Sequence, residues 1–205
     1  MGNDTNFRIV FVLSAIAMVA IRSYYQSKVL SDRRPTTVVG RSWRLLPGAV
    51  VAATTLVFGL AYIFLPGAFP WSYAQFPDWL RWVGAFMLLG GILLLAAAHH
   101  HLAASFHSLV VRKSGQVLVE SGPYRTVRHP IYTAFILNYF GGGLLASSLV
   151  LTFIPGPLYA LFVALRIAEE ERAMLEQFGQ GYQDYMARTG RFVPSLRFLT
   201  RPTRK

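Results

Sequence analysis

Residues 130–165 read PIYTAFILNYFGGGLLASSLVLTFIPGPLYALFVAL, a run of 36 residues without a charge, set between Arg128-His129 and Arg166. As one helix at ~1.5 Å per residue it would be ~54 Å long, well beyond the ~30 Å apolar core of a bilayer. Two antiparallel spans joined by a turn fit instead. The turn lies between Ala146 and Pro157, with Ser147-Ser148 favoured, and Pro155 and Pro157 are expected to bend the second helix near its start. Such a hairpin returns its two charged ends to the same membrane face.

Three further apolar runs precede it, Ile9–Ile21, Leu45–Leu65 and Trp82–Ala98. The first is short for a span, and Arg22, Tyr24 and Tyr25 extend it with an amphipathic end suited to headgroups. Five spans make the connecting segments alternate sides. Segments 22–44, 99–129 and 166–205 then carry 18 basic residues on one face, against Arg8 and Arg81 on the other. The positive-inside rule places the 18 in the cytosol and the N-terminus outside. A cleaved leader ending among Ala15, Ala17 and Ala20 would put all 18 outside, and is rejected on that ground. The expectation is an all-α integral membrane protein with about five transmembrane helices and a cytosolic C-terminus. It forms a single membrane domain over 1–205, with three spans in 1–98 and a catalytic hairpin region in 99–205 that includes a cytosolic connecting loop and a C-terminal helix.

Composition narrows the function. The net charge is +11, with 17 Arg and three Lys, yet 54% of residues are hydrophobic and 14% charged. The basic residues alternate with apolar runs, which is membrane patterning and not that of a nucleic-acid binder. There is no Cys, which excludes disulfides, thiolate catalysis and cysteine metal sites. Successive helical residues point ~100° apart, so His99, His100 and His101 cannot converge on one ion, and His107 adds no i,i+4 partner; no metal is expected there. Small size and an Arg-rich, Cys-free chain point to a bacterial inner membrane, and the tail Thr200–Lys205 to anionic lipid.

The polar residues at the hairpin's open end form a constellation. The last span continues past Arg166 into a charged helix that should stop at Phe178-Gly179. Helix phase puts Arg166, Glu169 and Glu170 on one face and turns Glu171 away from it. Across the hairpin, Pro130 suits a first helical turn, leaving His129 and Tyr132 beside unpaired amides that can hold an anion.

These residues carry a resemblance. Gly122-Pro-Tyr-Arg-x-Val-Arg-His-Pro-x-Tyr132, then Arg166-Ile-x-x-Glu-Glu, Phe178-Gly-x-x-Tyr-x-x-Tyr and Arg191-x-x-Pro194, together resemble the isoprenylcysteine carboxyl methyltransferase family, itself similar to membrane phospholipid N-methyltransferases. The resemblance covers roughly residues 105–195. It implies an S-adenosyl-L-methionine pocket on the cytosolic face, capped by the C-terminal segment, with a lipid tunnel opening into the bilayer. On that pattern Gln116, Val117, Leu118 and Val119 would line the cofactor through the backbone. Tyr124, His129, Pro130 and Tyr132 would contact it, and Glu170 would bind its polar end. Arg166 and Glu170 would be the catalytic pair, with Arg166 and Glu169 facing the acceptor. Upstream of Gln116 the loop is shorter than in eukaryotic members, which leaves Arg112 and Lys113 without an assigned role.

Methyl transfer suits such a site. A sulfonium carries its own leaving group, so the protein aligns the acceptor and excludes water. A carboxylate acceptor, with pKa about 4, needs no base, only a cation such as the planar Arg166 fork. The expected reaction is therefore O-methylation of a lipid or lipidated acceptor. N-methylation of a phospholipid or amine, with Glu169 or Glu170 serving the proton, is the alternative. An NADPH-dependent membrane reductase and a non-enzymatic scaffold of the same fold are the other classes.

Overall fold

The structure is a computed structural model that describes residues 2–31, 46–103 and 118–195. Three long apolar helices come first: α1 (Gly2–Ser31), α2 (Leu46–Phe64) and α3 (Asp78–Ala103). The hairpin follows as α4 (Pro130–Leu145), the short α5 (Leu149–Phe153) and α6 (Pro155–Phe178), and α7 (Gln180–Arg188) closes the chain's described part. No strand forms among the described residues, where only two isolated bridges pair extended backbone.

The expected hairpin is present. α4 begins at Pro130, whose missing N–H falls in a first turn that has no intrahelical acceptor for it. The turn lies at Ser147-Ser148. Ser147 adopts a left-handed φ of 52°, a conformation costing a side-chain-bearing residue about 1–2 kcal/mol. Its carbonyl accepts the Ala74 N–H at 2.8 Å, and the Ser148 hydroxyl caps the next helix by accepting from Leu151 N at 3.3 Å. After Ile154 the path bends into α6 at Pro155, and α6 stops at Phe178 with Gly179 at φ 53°. Both boundaries fall where the sequence places them.

Among the described residues four helical segments are long and apolar enough to cross a membrane: Asp4–Lys28, Leu46–Phe64, Asp78–Leu102 and the bent Leu149–Phe178. α4 has 16 residues, or ~24 Å at the helical rise. It runs through the glycines 141–143 and ends at Leu145, just before the Ser147 turn. Ala134, Asn138 and Gly141 to Gly143 are buried against its neighbours, so α4 is an enclosed helix.

The α3–α4 contact is close because it is made of small residues. A Cβ added at Gly84 would stand 2.7 Å from the Gly141 carbonyl oxygen, and one at Gly141 would stand 2.8 Å from that of Gly84. Backbones at this separation gain dispersion contacts that side chains would prevent. Near the turn, Arg81 of α3 is buried under three other elements. It donates to the Leu145 carbonyl at 3.0 Å, to Asp4 at 2.7 Å and to the Tyr62 hydroxyl at 3.3 Å, and lies 3.9 Å over the Phe7 ring. By charge parity alone Arg81 is a peripheral basic residue; in the fold it fastens α1, α2 and α4 to α3. Gly84→Val should push α3 and α4 apart at a cost of about 1–3 kcal/mol, read as a lower unfolding temperature in detergent; an unchanged temperature would refute this account of the packing.

Candidate active site

α4 and α6 bring the polar residues of the hairpin to one end of the bundle, where the loop before α4 and the segment after α7 meet them. The meeting is sewn by backbone. Gly190 N–H donates to Thr126 O at 3.0 Å, Arg128 N–H to Gly190 O at 2.8 Å and His129 N–H to Arg191 O at 3.1 Å. The Thr133 hydroxyl adds a bond to Phe192 O at 2.7 Å. The segment 189–192 thus lies across the mouth of the hairpin.

Two adjacent carboxylates of α6 serve this mouth, each only 7% exposed. Glu170 receives the Tyr132 hydroxyl at 2.7 Å from both of its oxygens, and Arg166, one turn back on α6, at 3.1 Å through Nε and 2.9 Å through a terminal nitrogen. Glu171 faces the other way, toward the loop. Arg128 donates to it at 3.2 Å, Arg191 at 3.1 Å through Nε and again through a terminal nitrogen, and His129 Nε2 stands 3.4 Å away. Arg128 also donates to the carbonyls of Met186 and Thr189. Every one of these carboxylate contacts is charge-assisted or to a phenol, which is what allows a carboxylate to be buried.

Aromatic rings line the approach from the apolar side. The His129 and Tyr132 rings stack at 5.6 Å and 13°. Tyr132 meets Tyr159 at 6.2 Å, and Tyr159 in turn meets Phe135 at 5.4 Å and Tyr139 at 5.2 Å. On the other side of the mouth Tyr124 is buried with Ala98 and Leu102, with Val119 and Ile131 packed against them. Burial holds the Tyr124 phenol well above its ordinary pKa, so it remains a donor. Neither its hydroxyl nor His129 Nε2 has a hydrogen-bond partner among the described residues. Tyr182, also buried, is pushed up to about 12 by burial and by Glu171.

Of the residues singled out from the sequence, Tyr132, Arg166 and Glu170 are in direct contact, and His129, Pro130 and Tyr124 line the same mouth. Leu118 and Val119 lead into it half-buried, whereas Gln116 and Val117, with His107, Arg112, Lys113 and the tail, lie outside the described residues. Glu169 is on the exposed side of α6. Helix phase gave Glu171 its direction but not its partners. Measured from Arg166 it points away, but its partners come from the loop and from beyond α7, and the usable signal was its pairing in sequence with Arg128 and Arg191. Among the described residues no three His, Asp or Glu side chains are grouped as a metal site.

Residues 82–176 match the isoprenylcysteine carboxyl methyltransferase (ICMT) family. The chain is 33% identical over 84 residues to the cobalt-zinc-cadmium resistance protein CzcN of Cupriavidus metallidurans, covering 41% of this chain and 38% of that protein. It is 30% identical over 94 residues to the protein-S-isoprenylcysteine O-methyltransferase of Schizosaccharomyces pombe, 45% of this chain and 40% of that one. Identity to methanethiol S-methyltransferase 2 of Bradyrhizobium diazoefficiens is 35% over 83 residues, 40% of this chain and 31% of the relative. The chain therefore spans well under half the length of these relatives. The fold is similar to that of the eukaryotic intramembrane Ras methyltransferase ICMT, with TM-score 0.62 and 23% identity over 90% of this chain and 66% of that one.

Charge-assisted hydrogen bonds contribute about 1.5–3 kcal/mol each, less for the half-exposed Arg191 side. Glu171→Gln should therefore loosen segment 189–192. Limited trypsin digestion should cut after Arg188 and Arg191 several-fold faster than in the unaltered protein, and Glu170→Gln should not produce this change. Equal rates in Glu171→Gln and unaltered protein would show that the carboxylate does not hold the segment.

Proposed function

We propose that this chain, whose residues 82–176 match the isoprenylcysteine carboxyl methyltransferase family, is a membrane methyltransferase that uses S-adenosyl-L-methionine at the mouth of its α4–α6 hairpin. The observation that carries this reading is a buried Glu170 held by Tyr132 and Arg166 at the hairpin mouth, with the buried Tyr124 hydroxyl lacking a hydrogen-bond partner among the described residues on the loop side. These groups fit the cofactor. It carries an ammonium, a sulfonium, a carboxylate and an adenosine, and the site offers a carboxylate, aromatic faces, cationic forks and spare hydrogen-bonding groups for each in turn.

When bound, the sulfonium supplies an activated methyl group. The chain's own residues do the rest. Glu170 offers negative charge to the cofactor's cationic end, with Tyr132 fixing the carboxylate's orientation. His129 and Tyr124 present polar atoms from the loop side. The segment 189–192, held by Glu171, Arg128 and Arg191, keeps water from the mouth, which strengthens every charge interaction inside it. The aromatic stripe Tyr132, Phe135, Tyr139 and Tyr159 gives an acceptor's apolar body a place to lie. The acceptor is lipid-like or lipidated and its reacting group is a carboxylate, with Arg166 beside the reacting oxygen. The site faces the cytosol of a bacterial inner membrane, a reading that the distribution of basic residues supports.

Titration calorimetry with S-adenosylhomocysteine tests the site. Glu170→Ala should weaken binding by about tenfold or more, the equivalent of ~1.4 kcal/mol, and undiminished binding would move the cofactor elsewhere. Radiolabelled methyl transfer into a bacterial lipid extract tests the reaction. Base-labile label marks an ester; base-stable label would mark methylation at nitrogen or sulfur and overturn the carboxylate assignment.

A further inference from the structure

α7 lies beyond the matched residues 82–176, and the mechanism above gives it no task. Gln180, Gln183 and Asp184 on this helix are exposed, yet Tyr182 and Tyr185 are each only 2% exposed and their rings meet at 5.8 Å. The Tyr185 hydroxyl donates at 2.7 Å to the carbonyl of Tyr124, 61 residues earlier in the chain. That carbonyl belongs to the short 3-10 turn Gly122–Arg125. α3 holds the same turn. Gly122 has φ 58°, a Cβ there would run into the His101 ring, and His101 Nδ1 meets the Ser121 hydroxyl at 3.1 Å. The end of α7 also reaches the mouth of the hairpin. The Thr189 hydroxyl donates to the Tyr185 carbonyl at 2.6 Å, and Arg128 joins the Thr189 carbonyl to Glu171. What the held turn presents is Tyr124. Its side chain is buried, and its hydroxyl has no hydrogen-bond partner among the described residues. A buried hydroxyl left unmatched is unfavourable, and a phenylalanine would fill the same space without that cost, so a ligand atom is the natural complement.

We propose that Tyr185 is a positioning residue of the cofactor site: its bond to the Tyr124 carbonyl sets the turn so that the Tyr124 hydroxyl donates to an acceptor atom of bound S-adenosyl-L-methionine. The proposal rests on the methyl-transfer reading above and adds the task of a helix outside the matched segment. The chemistry of the two phenols divides the work. Each has a single O–H to give. Tyr185 gives its own to the backbone of the turn, and because the turn is held through a carbonyl, the Tyr124 O–H is left for the ligand. Tyr185 therefore acts through Tyr124 and touches no reacting atom.

The test is a double-mutant cycle on the detergent-purified full chain, read as affinity for S-adenosylhomocysteine by titration calorimetry. Tyr124→Phe should lower the affinity about tenfold, the loss expected for one hydrogen bond to the ligand. Tyr185→Phe removes one oxygen and keeps the ring; it should lower the affinity about fivefold by itself and no further once Tyr124→Phe is present. A hydroxyl that only stabilises the fold would lower the unfolding temperature and have the same effect on affinity in both backgrounds. Asp184→Asn, exposed on the same helix, should leave the affinity unchanged. Gly122→Ala displaces the same turn from the α3 side and should reproduce the loss, again only while Tyr124 is present, which keeps the proposal open to refutation if Tyr185→Phe is not recovered folded. Unchanged affinity in Tyr124→Phe or in Tyr185→Phe, or losses that add in full, overturns the proposal and leaves Tyr185 a packing residue. Binding by the unaltered protein in those cases leaves the methyltransferase reading standing; absence of binding by the unaltered protein removes both.

Discussion

A carboxylate carried into a protein interior has to find its countercharge there, and Glu171 finds it in two arginines from two distant segments. Arg128 precedes α4, and Arg191 follows α7. The one carboxylate therefore ties the entry and the exit of the hairpin region together. The backbone bonds between 126–129 and 190–191 lie directly beside it, so ion pairs and extended backbone support the same closure. Without that closure the segment after α7 would have little reason to lie across the mouth, and the buried groups below it would be open to water.

The neighbouring glutamate shows how one helical step separates two tasks. Glu170 and Glu171 are equally buried, but ~100° of rotation sends one to Tyr132 and Arg166 and the other to the loop. The first has partners within the hairpin; the second holds the cover over it. Burial alone does not distinguish them, and only the origin of their partners does.

The outline of the fold was readable because bilayer thickness sets a hard limit on an uncharged run. Thirty-six such residues had to turn back, and Ser147-Ser148 and Pro155 supplied the places. Tyr132, Arg166 and Glu170 were readable because they sit at the ends of those helices with a helical period. Three features were not. That α4 is enclosed by its neighbours is a property of packing that composition does not carry. Arg81 looked peripheral, but its burial depends on Asp4, Tyr62 and the Leu145 carbonyl arriving from three other elements. The partners of Glu171 were not legible because a helical wheel describes one helix, while they lie 43 and 20 residues away in sequence.

That separation bears on how the molecule is made. The contacts between 126–129 and 189–191 enclose a loop of chain containing both arms of the hairpin and both glutamates. Closing a loop of that length is entropically unfavourable until the helices inside it have formed and packed. The mouth is thus a late product of folding. A chain in which either arm has failed to insert cannot align Arg128 with Glu171 and Arg191, so the polar site assembles only on correctly threaded molecules.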